Sequence, residues 1–86
     1  MDYKAEIRQC LLDILLRKGD SRPFSDDSSL FLGGRLDSID SVEVLLFLET
    51  RFGVKLAADG FHRSRIDTVN AIEALVRASA AGQPLS

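Results

Sequence analysis

The 86-residue sequence contains one cysteine, Cys10, two prolines and no tryptophan. A single cysteine cannot form a disulfide within the chain, so the sequence suits a reducing compartment and we expect a cytoplasmic protein. No apolar run approaches the roughly 20 residues that a membrane-spanning helix needs, and residues 1–6 lack the basic and apolar pattern of a secretory signal. The sequence therefore predicts no membrane span.

An excess of positive charge is also missing. Eleven Lys and Arg stand against 13 Asp and Glu, which gives a formal net charge of −2. Such a chain has no basic field to hold a phosphate backbone, so we expect no nucleic-acid partner. Asp26 and Asp27 lack a spaced third or fourth ligand, which favours loop carboxylates over a metal site. With 45% hydrophobic residues, we expect one folded, monomeric domain over 1–86.

The first element is predicted to be an amphipathic helix over about 3–17. Apolar residues recur there at spacings of three and four, namely Tyr3, Ile7, Leu11, Ile14 and Leu15. Cys10 lies on the same face, which indicates a small buried core residue and not a reactive thiol. From Gly19 to Leu36 the sequence is rich in Gly, Ser, Asp and Pro, which predicts a long loop. Some of its large apolar residues should reach the core: Phe24, Leu30, Phe31 and Leu32.

The second helix is predicted over about 38–52, with Asp37 as its N-cap and Gly53 after its last turn. Ser38 then occupies the first helical position, where its hydroxyl is not needed for capping. One apolar stripe faces the core and consists of Val44, Leu45, Leu48 and Phe52. A second row consists of Ile39, Val42 and Leu46. Periodicity alone leaves open whether this row is a docking surface or is buried in the bundle.

A third helix is predicted over about 67–80, beginning at Asp67 or Thr68, with Val69, Ile72, Leu75 and Val76 on one face. A short helix at about 58–64 is left open because Gly60 weakens its pattern, and residues 82–86 are expected to form a frayed tail. The fold class is therefore all-α: a small three- to four-helix bundle with a long loop between its first and second helices.

The second helix also carries a family resemblance. The residues LDSIDSVEV at 36–44, followed by Leu48-Glu49 and Phe52-Gly53-Val54, resemble the modification-site helix of the acyl carrier protein family. Residues 29–34 resemble the segment that leads into that helix, and residues 66–69 resemble the start of the family's last helix. The likeness covers roughly residues 3 to 78, which is more specific than an isolated Asp-Ser pair.

This resemblance implies that Ser38 carries 4'-phosphopantetheine, transferred from coenzyme A by a phosphopantetheinyl transferase. Ser41, one turn further along, is the weaker choice because it does not follow Asp37. The arm would hold acyl groups as thioesters and deliver them to acyl-loading, synthase or transferase enzymes of fatty-acid, polyketide or related specialised biosynthesis. The alternative is an aminoacyl or peptidyl carrier of a nonribosomal-peptide-type pathway.

The resemblance also implies which residues partners would recognise. They are the acids Asp37, Asp40, Glu43 and Glu49, and the apolar row Ile39, Val42 and Leu46. Thr50 and Arg51 stand where the family's fatty-acid members often have further acids, so the sequence is interpreted as a discrete, specialised member.

Two other classes compete with a non-catalytic carrier. Ser38, His62 and Asp67 contain the residue types of a hydrolytic triad, but there is no Gly-x-Ser-x-Gly elbow around the serine. An unmodified helical adaptor would use the same apolar row to bind a partner. Chemistry at Ser38 is what separates the adaptor from the carrier.

Overall fold

Three α-helices form the domain in the computed structural model, which describes residues 3–54 and 63–80. Helix α1 spans Tyr3–Arg17, α2 spans Ser38–Phe52 and α3 spans Val69–Ala80, and a 3-10 helix at Arg63–Ile66 precedes α3. The predicted all-α class is confirmed. Of the segment 58–64, left open as a fourth helix, residues 58–62 lie outside the described residues, as does the predicted tail 82–86. Within the two described ranges, no helix is long and apolar enough to cross a membrane.

The core lies between the three helices and the loop that joins α1 to α2. Helix α1 contributes one buried face, made of Ile7, Leu11, Ile14 and Leu15. The other core residues come from the loop, from α2 and from the region around α3: Leu30, Phe31, Leu36, Val44, Leu48, Val54, Ile66, Val69, Ile72, Leu75 and Val76. Cys10, predicted to be a small buried core residue, is partly buried and packs against this core.

Thr68, one of the two predicted starts of the third helix, is its N-cap: helix α3 begins at Val69, and the Thr68 hydroxyl oxygen accepts the Ala71 backbone N–H at 2.9 Å. Asp67, the other predicted start, does not cap the helix. The Asp67 carboxylate is buried and accepts three hydrogen bonds from the α1–α2 loop, donated by the Ser29 hydroxyl at 2.5 Å and by the backbone N–H groups of Phe31 and Leu32 at 2.8 Å each. The loop is therefore fastened to the base of α3.

A second set of hydrogen bonds holds the beginning and the end of the loop together. The Arg35 guanidinium donates to both carboxylate oxygens of Asp20 at 3.0 Å, and this bidentate pair is well shielded from solvent. Hydrogen bonds from Arg22 and Arg35 hold the pKa of Asp20 well below its ordinary value. Asp26, predicted to be a loop carboxylate, pairs with Arg8 on α1 at 2.8 Å. The long loop thus reaches Ser38 as a fixed segment.

Gly33 is required in this loop by a close backbone approach. A Cβ atom built on Gly33 would lie 2.2 Å from the carbonyl oxygen of Ser29, a distance that no side chain tolerates. The chain then returns to the core, because the backbone N–H groups of Arg35 and Leu36 both donate to the Leu30 carbonyl at 2.9 Å. This turn buries Leu30, Phe31 and Leu36 and leaves Leu32 exposed.

Candidate functional site

Helix α2 begins with a reciprocal capping box. The Asp37 side chain accepts the Asp40 backbone N–H at 3.1 Å, and the Asp40 side chain accepts the Asp37 backbone N–H at 2.9 Å. Asp37 is therefore the N-cap, and Ser38 is the first helical residue, where the sequence predicts it. Because Asp37 caps the helix, the Ser38 hydroxyl is not used for capping.

The two serines of this turn differ in exposure. Ser38 is exposed, and within residues 3–54 and 63–80 its hydroxyl has no hydrogen-bond partner. Ser41 is buried, and its hydroxyl donates to the Ser38 carbonyl at 2.5 Å. The burial of Ser41 leaves Ser38 as the reachable hydroxyl of the pair.

The second apolar row of α2 faces solvent. The exposed fraction of the side chains is 80% for Ile39, 57% for Val42 and 57% for Leu46, whereas Val44 and Leu48 on the other stripe are buried. Burial of all these apolar residues in the bundle is thus contradicted. An exposed row of this kind beside Ser38 is typical of a protein-docking surface.

Three of the four acids implied in recognition are paired with cations of the same chain. Lys18, just after α1, contacts Asp40 at 2.7 Å and Asp37 at 3.4 Å, and Arg17 forms an ion pair with Glu43. The pKa of Asp37 lies below its ordinary value because the carboxylate accepts the Asp40 backbone N–H and lies beside the Lys18 ammonium. Sequence reasoning missed Arg17 and Lys18, whose only signal was their position at the end of the helix preceding the loop.

The far end of α2 is arranged differently. Glu49 is exposed, and its backbone carbonyl accepts the N–H of Gly53, which ends the helix in the left-handed conformation at φ 71°. Arg51, which stands where further acids were expected, donates to Glu6 on α1 at 2.6 Å. Of the four predicted recognition acids, Glu49 is therefore the one that lacks an ion pair in the described part of the chain.

A cleft of about 380 Å³ lies between α1 and α2. Its lining mixes charged, polar and apolar side chains: Glu6, Gln9, Cys10, Asp13, Arg17, Glu43 and Phe47. Partial burial, together with the charges of Glu43 and Asp13, raises the pKa of the Cys10 thiol from 9.0 to about 11. The thiolate that reacts with electrophiles is thus scarce at neutral pH.

We expect Cys10 to react slowly with iodoacetamide in the folded protein. With a pKa of about 11 instead of 9.0, the thiolate population at pH 8 is about 100-fold smaller, and the alkylation rate should rise with pH up to about 11. Alkylation followed by intact-mass measurement checks this, with the same chain unfolded in urea as the control. A folded-state rate at pH 8 equal to the unfolded-state rate would contradict it.

The acid considered for a hydrolytic triad, Asp67, is engaged away from Ser38. The Asp67 carboxylate is occupied by three donors of the α1–α2 loop, and none of them is an imidazole. His62 lies outside the described residues. Asp67 therefore has a structural role that explains its burial, and the Ser38 hydroxyl has no activating base within the described residues.

Comparison with known proteins agrees with this geometry. The family model for the phosphopantetheine attachment site matches residues 5–76. The chain is 42% identical over 72 residues to a D-alanyl carrier protein of Lacticaseibacillus casei (strain BL23), covering 81% of this chain and 89% of that protein. It is also 34% identical over 76 residues to a D-alanyl carrier protein of Leuconostoc mesenteroides, covering 88% and 94%, and 36% identical over 72 residues to one of Streptococcus thermophilus, covering 84% and 87%.

Members of this family are non-catalytic. Together, the extent of the family match and the identity to three carrier proteins over more than four-fifths of the chain show where the chain belongs. It is a member of the carrier protein family that holds covalently attached 4'-phosphopantetheine.

Proposed function

We propose that Ser38 is the attachment point of the 4'-phosphopantetheine arm and that the chain carries an aminoacyl group, with D-alanine as the cargo. The observation that carries the site is the exposed hydroxyl of Ser38, which has no partner in the described part of the chain and stands at the first position of a helix capped by Asp37 and Asp40. The names of the relatives support the cargo, since all three are D-alanyl carrier proteins.

The residues around Ser38 fit a phosphodiester. The backbone N–H groups at a helix start favour negative charge by about 0.3–1 kcal/mol, and the capping box uses the N–H of Asp40 while leaving those of the first two helical residues available. The Lys18 ammonium lies against the same turn through Asp37 and Asp40. When bound, the arm supplies a terminal thiol on which the cargo is held as a thioester.

The side chains that line the cleft favour a small polar cargo over a long alkyl chain. The lining includes the charged side chains of Glu6, Asp13, Arg17 and Glu43, which an alkyl chain would have to desolvate. The space between the helices is already filled by the buried core. An aminoacyl group needs no shelter, because its ammonium is well solvated at the end of an exposed arm. These features support the aminoacyl alternative over the fatty-acyl and polyketide roles.

The exposed row Ile39, Val42 and Leu46 is the proposed contact surface for the transferase and for the enzyme that loads the cargo. An unmodified adaptor would use the same row, so the row does not separate the two functions. The accessibility of the Ser38 hydroxyl favours the carrier, because an adaptor has no need for an exposed nucleophile at the helix start.

The test is sequential loading in vitro. The protein is first converted to its holo form with coenzyme A and a broad-specificity phosphopantetheinyl transferase, then incubated with ATP, a D-alanine-activating ligase and either D-alanine or L-alanine. We expect a thioester-linked mass gain with D-alanine, removable by hydroxylamine, and far less with L-alanine. As a comparison, a malonyl transferase should load the holo protein poorly. Efficient malonylation without D-alanylation would contradict the proposed cargo while leaving the attachment site intact.

A further inference from the structure

Two cations at the end of α1 lie directly on the carboxylates that surround Ser38. Arg17 forms an ion pair with Glu43, and Lys18 contacts both members of the α2 capping box, Asp40 at 2.7 Å and Asp37 at 3.4 Å. Of the three acids next to the proposed attachment site, each is therefore engaged by a cation of the same molecule. Asp40 is engaged most fully, with only 13% of its side chain exposed.

We propose that Arg17 and Lys18 determine partner specificity by occupying the acidic positions that a basic partner enzyme would otherwise use. The chain would then be recognised through the exposed apolar row of Ile39, Val42 and Leu46 by enzymes whose docking surface is apolar and weakly charged. This inference rests on the proposed function, because it concerns the enzymes that act at Ser38.

Paired charges and unpaired charges act differently on an approaching protein. An isolated carboxylate exerts its field over about one Debye length, roughly 8 Å at physiological ionic strength, and attracts basic surfaces within that range. A carboxylate with a cation a few ångströms away exerts a much weaker, dipolar field, and a partner must first displace that cation to form its own ion pair. The steering of a basic partner toward Ser38 is thereby reduced.

The exposure of these side chains indicates a role at the surface. The side chain of Arg17 is 61% exposed and that of Glu43 is 45% exposed, and such exposed pairs contribute little to folding stability. The position of Arg17 and Lys18 at the carboxyl end of α1 would by itself favour any cation there through the helix dipole. The helix dipole accounts for the charge of these residues but not for their contacts with three separate acids of α2.

The apolar row completes the recognition surface. Its three side chains are each more than half exposed, and they lie on the same helix as the neutralised acids. Because the acids beside the apolar row are already paired, an uncharged partner can bind there at little electrostatic cost. A basic partner gains little electrostatic attraction from the same acids. The surface therefore favours partners with an uncharged docking surface over partners with a basic one.

The test compares Arg17→Gln/Lys18→Gln with a control that loses two cations elsewhere. Arg22→Gln/Arg77→Gln serves as this control, because Arg77 has the same 61% exposure as Arg17, pairs with Glu73 of its own helix and lies over the Tyr3 ring, while Arg22 pairs with Asp20 in the loop. The quantity measured is kcat/KM for arm transfer by a phosphopantetheinyl transferase with a strongly basic docking surface, from about 20 mM to about 300 mM NaCl. Thermal unfolding of each variant reports separately on stability.

For wild type and for the control we expect a kcat/KM that changes little with salt. For Arg17→Gln/Lys18→Gln we expect a roughly 3- to 10-fold higher value at low salt, which falls back toward wild type at high salt. A third variant, Val42→Ser/Leu46→Ser, should lower kcat/KM at every salt concentration because it removes the apolar contact. In all variants the endpoint mass gain should reach completion.

Two results would overturn the inference. If Arg17→Gln/Lys18→Gln is modified to completion with the salt profile of the control, or with a lower kcat/KM, the cations do not determine specificity and the proposed function still stands. If neither wild type nor any variant gains the mass of the arm, the proposed function fails and this inference fails with it.

Discussion

Ser38→Ala is expected to lose the 4'-phosphopantetheine mass gain completely. The substitution removes the only oxygen that the proposed phosphodiester can use, and no neighbouring hydroxyl of the same turn can replace it because Ser41 is buried and donates to the Ser38 carbonyl. Stability should change by less than about 0.5 kcal/mol, since Ser38 is exposed and Asp37 caps the helix without it. Intact-protein mass spectrometry after incubation with coenzyme A and a transferase measures the loss.

Ser41→Ala is the matched control for this experiment. It should gain the full mass of the arm, but it should be less stable by about 1 kcal/mol because the hydroxyl that donates to the Ser38 carbonyl is removed. Ser38→Ala therefore tests the modification, whereas Ser41→Ala tests how much this hydrogen bond contributes to stability. A mass gain that persists in Ser38→Ala and disappears in Ser41→Ala would move the attachment site to Ser41. If both single variants still gain the mass of the arm, neither serine is the sole attachment site.

Asp67→Ala is expected to be the most destabilising single change outside the apolar core. Its carboxylate accepts hydrogen bonds from the Ser29 hydroxyl and from the backbone N–H groups of Phe31 and Leu32, and the bond to Phe31 is buried. Buried donors left without an acceptor cost about 1–3 kcal/mol each, so we expect a total loss of about 3 kcal/mol. For a domain of this size, that loss lowers the midpoint of thermal unfolding by roughly 10–20 °C.

Calorimetry or circular dichroism on heating measures this loss, and two further variants make the result specific. Asp67→Asn keeps one acceptor oxygen and should lose only part of the stability. Its unfolding can therefore be measured even if Asp67→Ala does not fold. Asp27→Ala removes an exposed loop carboxylate that accepts only the Ser25 hydroxyl, and it should change stability by less than about 0.5 kcal/mol. Equal effects of Asp67→Ala and Asp27→Ala would refute the fastening role of Asp67.

Local patterns were sufficient for the helices and for the position of Ser38. The helix start at Asp37, the end at Gly53 and the buried face of α1 follow from capping preferences and the 3.6-residue period, which depend on neighbouring residues only. The same period identified two apolar rows on α2 but could not decide which one was buried. That decision depends on which face the other helices cover.

The periodicity of apolar residues did not predict which polar side chains are buried. The sequence left Asp67 and Thr68 open as the start of the third helix because both residue types are good N-caps. Thr68 caps the helix, whereas the Asp67 carboxylate is used 36 residues away, at the Phe31 backbone. Ser41 is polar but buried, because its hydroxyl donates to the Ser38 carbonyl inside its own helix. Hydrogen bonds over long sequence separations leave no periodic signal.

The sequence by itself determined the helical class, the capped start of the second helix and the resemblance centred on Ser38, because each of these is encoded within a few consecutive turns. The tertiary structure alone decided the charge environment of that serine. Arg17 and Lys18 lie 19 to 26 residues before the acids with which they pair, and only the packing of α1 beside α2 brings their charges together. Close approach in space, which determines electrostatic interaction, is a property of the fold and not of local sequence.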